Sequence, residues 1–381
     1  LCYILPRKKS WFKNKMNLIL IVILNMEEEY DFHKFYELKL KKTQYKTKGL
    51  CGLINLGNKC FMNSILQCLS NTLQLTDYII SGESKNDINK KSDVLHVYTG
   101  YSTLLYNIWE MNQVIKPKTF IQSIGTVHKK YFMCFQQDSY ECLLYILDIL
   151  HKSLNYTIDV NISGVEKTPR DVLLKQSMTI WQKFYEKDYS LLIDMFYGMF
   201  CSKSTCNKCN FNEINFEPYN SICLPIPNNT SDLYNCLDNY CKIENVSDWK
   251  CEKCNNKSCK KETTLWTVPN YLIINLKRFN DNGKSKNNNQ INYPLKDLDL
   301  TKYISKSKED PNTYLYDLYA INFHSGHLNS GHYWSCCKNL DGHWYNYNDG
   351  NVSRCGDGAL QEQLVTKNAY ILFYQRKFIK K

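Results

Sequence analysis

Long apolar runs are missing from this 381-residue chain. The longest, LILIVIL from Leu18 to Leu24, has seven residues, whereas a bilayer-spanning helix needs about 20. Small residues that would mark a signal cleavage site do not follow that run; Met26 and three glutamates do. No stretch combines dense arginine and lysine with a nucleic-acid motif. The net charge of +11, carried mostly by scattered lysine, is therefore not read as a nucleic-acid footprint, and neither nucleic acid nor membrane is expected as a partner. Internal repeats are absent too, which excludes a solenoid or propeller.

What is present points to a packed globular domain. Apolar residues make up 43% and aromatics 14%, enough for a substantial core. Asn/Lys-rich tracts such as NDNGKSKNNNQIN read as polar surface loops. The 18 cysteines include two CxxC pairs and a lone cysteine at a turn, a pattern of reduced thiols rather than a disulfide scaffold. Residues 1–48 read as an N-terminal extension, flexible or over-extended, with Met16 or Met26 as alternative initiators. A signal anchor is the competing reading, because Arg7, Lys8 and Lys9 precede the apolar run.

From residue 49 the texture changes. SILQCLSNTLQL places Ile65, Leu66, Leu69 and Leu73 on one helical face, and SYECLLYILDILHKSL does the same with Leu143, Leu144, Leu147 and Leu150. From Phe200 onward strand-like runs dominate, among them TTLWTV, YLIINLKRF, TYLYDLYAINFH, GHYWSCC and AYILFY. A helical half followed by a sheet-rich half implies an α+β fold.

Cys60 stands where the Leu56-Gly57-Asn58 turn enters a helix. A helix N-terminus favours the thiolate, and Lys59 adds positive charge, so a nucleophile and a buried helix-start thiol both fit. A nucleophile needs a base and a group that orients the base. In HSGHLNSGHYWSCCKNLDGHWYNYNDGNVS, His332 opens one strand-like run and Asn348-Asp349 ends the next. Antiparallel pairing through the Asp341-Gly342 turn would bring them together. Either the Asn348 amide oxygen or the Asp349 carboxylate could fix the imidazole tautomer. Cys206-x-x-Cys209 and Cys251-x-x-Cys254 together read as a four-thiolate structural zinc site with no open coordination position. No histidine lies nearby to suggest a catalytic metal. Cys201, Cys223, Cys236, Cys241 and Cys259 are spare thiols in the same region.

Several of these segments are recognisable together. GLINLGNKCFMNSILQCL resembles the cysteine box of the ubiquitin-specific proteases, and SGHYWSCC…WYNYNDGNVS resembles their histidine box. FQQDSYECLLYILD is similar to the intervening Gln-Asp-Glu motif, and PNYLIINLKRF, INYP and NAYILFYQR match further landmarks in the family's order. The resemblance covers about residues 49–375. It implies a papain-like cysteine protease built as a helical thumb (about 51–197), zinc-bound fingers (about 198–265) and a sheet-rich palm (about 266–375), with residues 376–381 as a tail.

By that resemblance Cys60 attacks the carbonyl after the C-terminal glycine of ubiquitin, His332 relays the proton, and Asn348 is the third member with Asp349 assisting. Asn55 matches the oxyanion-hole asparagine. Asp138 and Glu141 match an acidic pair that meets the arginines of the ubiquitin tail, although an acidic pair at a helix start also suits the dipole alone. The segment holding His324 and His327 matches a loop bordering the tail channel, with Gly326 and Gly331 giving it mobility. Residues 280–292 would be a companion loop that closes on binding. Lys59, Phe61 and Tyr140-Glu141-Cys142 depart from the family's usual Thr, Tyr and Glu-Phe. The implied substrates are ubiquitin and ubiquitinated proteins, handled by a monomeric catalytic domain in the cytoplasm or nucleus. A protease for another ubiquitin-like modifier and an inert ubiquitin-binding scaffold are the alternatives.

Overall fold

The computed structural model describes residues 48–111, 113–228, 230–279, 285–305, 314–327 and 330–377, together with the backbone of Leu5–Pro6 and Ile19–Ile23. Met16, Met26, the tip of the 280–292 loop at 280–284, and residues 378–381 lie outside the described residues. Strands β1 (Leu5–Pro6) and β2 (Ile19–Ile23) form a small sheet with β3 (Asp159–Ser163), in which β2 and β3 run parallel.

The first half is helical, as its periodicity implies. Helices α1 (Cys60–Ser70), α2 (Leu73–Ile80), α3 (Leu95–Glu110), α4 (Lys118–Val127), α5 (Ser139–Leu154), α6 (Pro169–Tyr185) and α7 (Leu191–Phe196) make up the thumb. The SILQCLSNTLQL pattern is two helices rather than one, broken at Asn71-Thr72. There Thr72 turns its hydroxyl back onto the Cys68 carbonyl (3.1 Å) and across to the Tyr319 hydroxyl (2.9 Å). Every residue of α1 is buried, so it is a helix with no solvent face, running against the palm. Helix α6 begins at a Thr168/Asp171 capping box with Pro169 in the first turn.

The chain then builds two sheets. Strands β4 (Gly198–Cys206), β5 (Asn212–Tyr219), β7 (Glu244–Val246) and β8 (Cys259–Thr267) form the four-stranded fingers, in the order β5-β4-β8-β7. Within that stretch, however, β6 (Ile222–Pro225) pairs in parallel with β9 (Tyr271–Lys277) of the palm, and α8 (Leu233–Tyr240) packs into the palm's outer core. The palm sheet runs β14 (Asn351–Arg354), β13 (Trp344–Asn348), β12 (Ser330–Lys338), β11 (Leu315–His327), β15 (Ala369–Arg376), β9, β6. The two-residue β10 (Leu298–Asp299) pairs with β11, and α9 (Leu360–Leu364) lies between β14 and β15 in sequence.

Both faces of this sheet are covered, which explains why its central strands read as continuous apolar runs. Tyr271 and Ile273 of β9 join the core shared with the thumb, while Leu272, Ile274 and Leu276 point into the second core on the far side. No helix among the described residues is long and apolar enough to cross a membrane.

Thumb and palm meet closely at Gly52. A Cβ there would lie 2.2 Å from the Gly350 carbonyl oxygen, a backbone atom that cannot yield without moving the turn. Gly52→Ala should therefore destabilise the protein by about 1–3 kcal/mol through overpacking. A urea-unfolding midpoint equal to wild type would show that the joint is looser than drawn.

Candidate active site

Three backbone features place Cys60. Gly57 (φ +78°) and Asn58 (φ +55°) turn the chain in the left-handed region, Lys59 occupies the cap position, and α1 begins at Cys60 itself. The thiol is buried, only 2% exposed, against the palm. Opposite it, β12 and β13 pair antiparallel through the Asp341-Gly342 turn, with Ser335 facing Tyr347 and Lys338 facing Trp344. This is the hairpin the sequence implied, and it brings His332 and Asn348 together: the ring Nε2–H donates to Asn348 Oδ1 at 2.7 Å. With Nε2 so engaged, Nδ1 is the nitrogen left to face the thiol. The hydrogen bond with Cys60 is the largest influence raising the His332 pKa from 6.5 to about 9, and the Asn348 bond, the Cys60 charge and the Asp349 carboxylate add to it against the cost of burial.

The neighbouring residues Asn348 and Asp349 face different partners. Asn348 meets the imidazole, whereas Asp349, at φ +47°, turns toward the thumb. Its Oδ1 accepts from Asn63 Nδ2 (2.8 Å), its Oδ2 from Asn55 Nδ2 (3.0 Å), and its main-chain carbonyl from the Leu53 N–H (2.8 Å). Asn55 is thereby held at both ends, since its Oδ1 accepts the Lys59 N–H at 2.7 Å. One N–H of the Asn55 amide is left for another acceptor.

The acidic pair sits at the start of α5. Asp138 caps the helix by accepting the Tyr140 N–H (2.7 Å) and also accepts from the Tyr370 hydroxyl (2.8 Å); burial raises its pKa, and these bonds oppose the rise. Glu141 is paired with Lys130. Both carboxylates thus sit at the helix start, Asp138 half-buried and Glu141 exposed.

Of the two histidines ahead of His332, His324 is fully buried against Tyr333 and Phe279, and burial pushes its pKa down to about 3. It is a neutral packing group. A Cβ on Gly331 would lie 2.3 Å from its Nε2, which explains the glycine before the base.

Sequence reasoning missed two residues of this region, and read a third, Lys59, only as positive charge beside the thiol. Asn63 is a buried amide in a helix with no solvent face, a polar group that burial obliges to find partners. Gln136 reaches across the cleft to Gly331, accepting its N–H at 2.6 Å and donating to its carbonyl. Lys59 is fully buried and donates to the Met133 carbonyl.

The four chosen cysteines converge at the tip of the fingers. The Sγ atoms of Cys206, Cys209, Cys251 and Cys254 all lie within 4.8 Å of one another, with Cys206–Cys254 and Cys209–Cys251 each 3.6 Å apart. Thiolates about 2.3 Å from a tetrahedral zinc stand about 3.8 Å from one another, so the set fits that ion. The pairs are far beyond the S–S bond length of about 2.05 Å, and all four thiols are free. Each knuckle is followed by an asparagine in the left-handed region, Asn210 and Asn255 (both φ +57°). These return their N–H to the Cys206 and Cys251 carbonyls. The repeated Cys-x-x-Cys-Asn was the finer signal in the sequence. Cys259 is buried opposite Cys206 in the β4–β8 ladder, outside the quartet.

A thumb carrying a helix-start cysteine, a palm sheet carrying its histidine and asparagine, and four-cysteine fingers define a papain-like cysteine-protease fold of the α+β class. The family model described as ubiquitin carboxyl-terminal hydrolase matches residues 51–374. The chain belongs to that family, and to its ubiquitin-specific protease group. Similar curated proteins include ubiquitin carboxyl-terminal hydrolase Usp2 of Drosophila melanogaster (33% identical, 90% of this chain and 36% of that protein). Ubiquitin carboxyl-terminal hydrolase 2 of Bos taurus is 34% identical over 86% of this chain and 55% of that protein. The chain thus spans between about a third and just over half the length of these relatives. Among solved structures, the yeast SAGA deubiquitinating module with mutant Sgf73 aligns with a TM-score of 0.68 at 25% identity, over 88% of this chain and 70% of that one. The Ubp8/Sgf11/Sus1/Sgf73 module bound to ubiquitin aldehyde shares the fold, with a TM-score of 0.69 at 24% identity over 88% and 71%.

A raised pKa means the imidazolium persists through neutral pH and is lost as pH rises through about 9; any stability it contributes is complete below its ordinary value of 6.5 and fades over the same interval. An NMR titration should find His332 near 9 and find it lower in Asn348→Ala. An unshifted titration in that variant would remove Asn348 from the constellation.

Proposed function

We propose that this chain is a deubiquitinating cysteine protease that hydrolyses the isopeptide or peptide bond after the C-terminal glycine of ubiquitin. The observation that carries this reading is the His332 ring, shared between the Cys60 thiol and the Asn348 amide oxygen on opposite layers of the fold. Family membership and neighbours solved with ubiquitin support the choice of substrate.

In this scheme the Cys60 thiolate, held as an ion pair with protonated His332, attacks the glycine carbonyl carbon. The oxyanion is met by the free N–H of Asn55 and the main-chain N–H of Cys60. His332 gives its proton to the departing lysine amine, leaving a thioester. Water, deprotonated by His332, then releases the ubiquitin carboxylate and regenerates the thiol. Asn348 keeps the ring oriented, while Asp349 acts at one remove by holding Asn55. Asp138 and Glu141 receive the tail's arginines, which must compete with Lys130 for Glu141. The four cysteines hold a structural zinc that fixes the fingers against the globular body of ubiquitin. The reduced thiols and the substrate favour a cytoplasmic or nuclear home.

A ubiquitin probe with an electrophilic C-terminus should label the wild type at Cys60 and leave Cys60→Ala unlabelled. No wild-type labelling, with a related-modifier probe succeeding, would overturn the ubiquitin assignment. Asn55→Ala should lower kcat by about 10²–10³ with a smaller change in KM. Metal analysis should give one zinc per chain, lost in Cys251→Ser along with fingers stability. Zinc-free wild-type protein with an unchanged melting curve would count against the structural role.

A further inference from the structure

Helix α1 begins at Cys60 and has no solvent face, yet two adjacent residues about one turn further on are polar. Asn63 is held by Asp349. Ser64 points about 100° away around the helix. There it meets Asn322 of β11, whose Nδ2 donates to Ser64 Oγ at 2.8 Å. Ser64 Oγ in turn donates to the Phe61 carbonyl at 3.0 Å. The oxygen of the same amide accepts from Ser139 Oγ, at the start of α5, again at 2.8 Å. All three side chains are buried. One amide of the palm therefore joins two helices of the thumb, with every donated hydrogen running one way, from Ser139 through Asn322 and Ser64 to Phe61. Strand β11 sends Ile321 and Phe323 into the far core and Ala320 into the core shared with the thumb, so Asn322 falls on the thumb side. The same strand pairs with β12, where Ser325 stands opposite His332. Asn322 thus links the helix of the nucleophile to the strand next to the base.

We propose that Asn322 is a positioning residue for the reaction, which through Ser64 sets where the Cys60 sulfur stands relative to His332. Stability is not the main thing this network supplies. Buried amides and hydroxyls return little net stability once their desolvation is counted, and apolar side chains of similar size would also fill the interface. What directional bonds add is a single register. A helix that slides by one residue moves about 1.5 Å, whereas the donor–acceptor distances of such bonds span only about 0.5 Å. The network is therefore made in one placement of α1. With Asp349 holding Asn63 and Asn322 holding Ser64, the helix is gripped from two directions, which opposes rotation as well as sliding. The chemistry is sensitive to this, because a misplacement of about 1 Å between reacting groups can cost about 10²-fold in rate. The inference rests on the thiolate–imidazole scheme above and adds the residue that keeps its two partners in register.

The test uses Asn322→Leu, which keeps the volume and removes both bonds, and Ser64→Ala, which removes only the link to α1. Each is assayed with ubiquitin–aminomethylcoumarin. Alkylation of Cys60 by iodoacetamide is followed in parallel at pH 6 and pH 9, by mass spectrometry of the peptide that contains it. Alkylation at pH 6 requires the thiolate that a protonated His332 stabilises, and it is independent of which protein is the substrate. In both variants kcat should fall about tenfold or more with KM changed less than about threefold, and the pH 6 to pH 9 ratio of alkylation rates should fall about threefold or more. The double variant should lose no more than Asn322→Leu alone, because both changes break one connection. An unchanged kcat or an unchanged alkylation ratio, even with a lower melting temperature, would make Asn322 a purely structural residue and overturn the proposal. Losses that multiply in the double variant would overturn it too. If Asn322→Leu fails to fold, Ser64→Ala decides by the same two readouts. A wild type inert toward ubiquitin, whose alkylation ratio nonetheless falls in Ser64→Ala, would refute the ubiquitin reading and uphold the positioning role.

Discussion

The nucleophile and its base belong to different layers, and what brings them into register is the joint between residues 52–63 and the Asn348–Asn351 turn. Asp349 supplies most of it. One carboxylate spans Asn55 and Asn63, the same residue's carbonyl accepts the Leu53 N–H, and its left-handed backbone is what allows both to face the thumb while Asn348 faces His332. Gly52 lies against Gly350 with no room for a side chain. Asn63 belongs to α1, three residues after Cys60, so the same carboxylate fixes the helix that carries the thiol and the amide that would meet the oxyanion. A carboxylate spent on two amide donors is poorly placed to orient the imidazole as well. Among the described residues the Asn348 oxygen accepts only from the His332 ring, so it is the group in position to do so.

The tyrosine abundance has a structural cause. Tyr316, Tyr374 and Tyr293 are buried, and their hydroxyls donate to the carbonyls of Pro269 (2.6 Å), Pro294 (2.8 Å) and Leu364 (2.6 Å). Tyr347 reaches the Gly49 carbonyl across the thumb interface at 3.2 Å. Each ring fills core volume while its polar end satisfies a carbonyl in a loop or at a helix end, outside the sheet ladder. A sheet buried on both faces needs such residues where its strands run into loops, and an all-aliphatic core would leave those carbonyls bare.

Elements with strong local signals were legible in the sequence. The helical half, the five named strand runs and the hairpin that joins His332 to Asn348 all depend on periodicity and turn chemistry, which a short segment carries in full. Partners set by distant packing were not. Nothing within NYNDGN distinguishes which of Asn348 and Asp349 faces the ring, because the answer depends on where Asn55 and Asn63 stand. Strand β6 and helix α8 read as fingers by position, yet they side with the palm because β6 finds its parallel partner in β9, beyond the cysteine knuckles. The break between α1 and α2 was hidden for a similar reason, since Thr72 ends the first helix by bonding a tyrosine of the palm.

Lys59 shows how one substitution in a familiar motif can be explained by its surroundings. A buried ammonium is costly, and burial lowers its pKa, an effect opposed by the nearby Cys134 and Cys142. Charged or neutral, the amine still has a proton to donate to the Met133 carbonyl, a reach that the threonine usual at this position lacks. The long stem fills the space beneath the 132–135 loop, and the head fixes its backbone. The turn that presents Cys60 therefore supports an exposed apolar loop as well, and Asn58 from the same turn holds the next carbonyl. Moving that loop would disturb the entrance to α1, and moving α1 would disturb the loop. The 132–135 loop and the position of the sulfur are mechanically one unit in this chain.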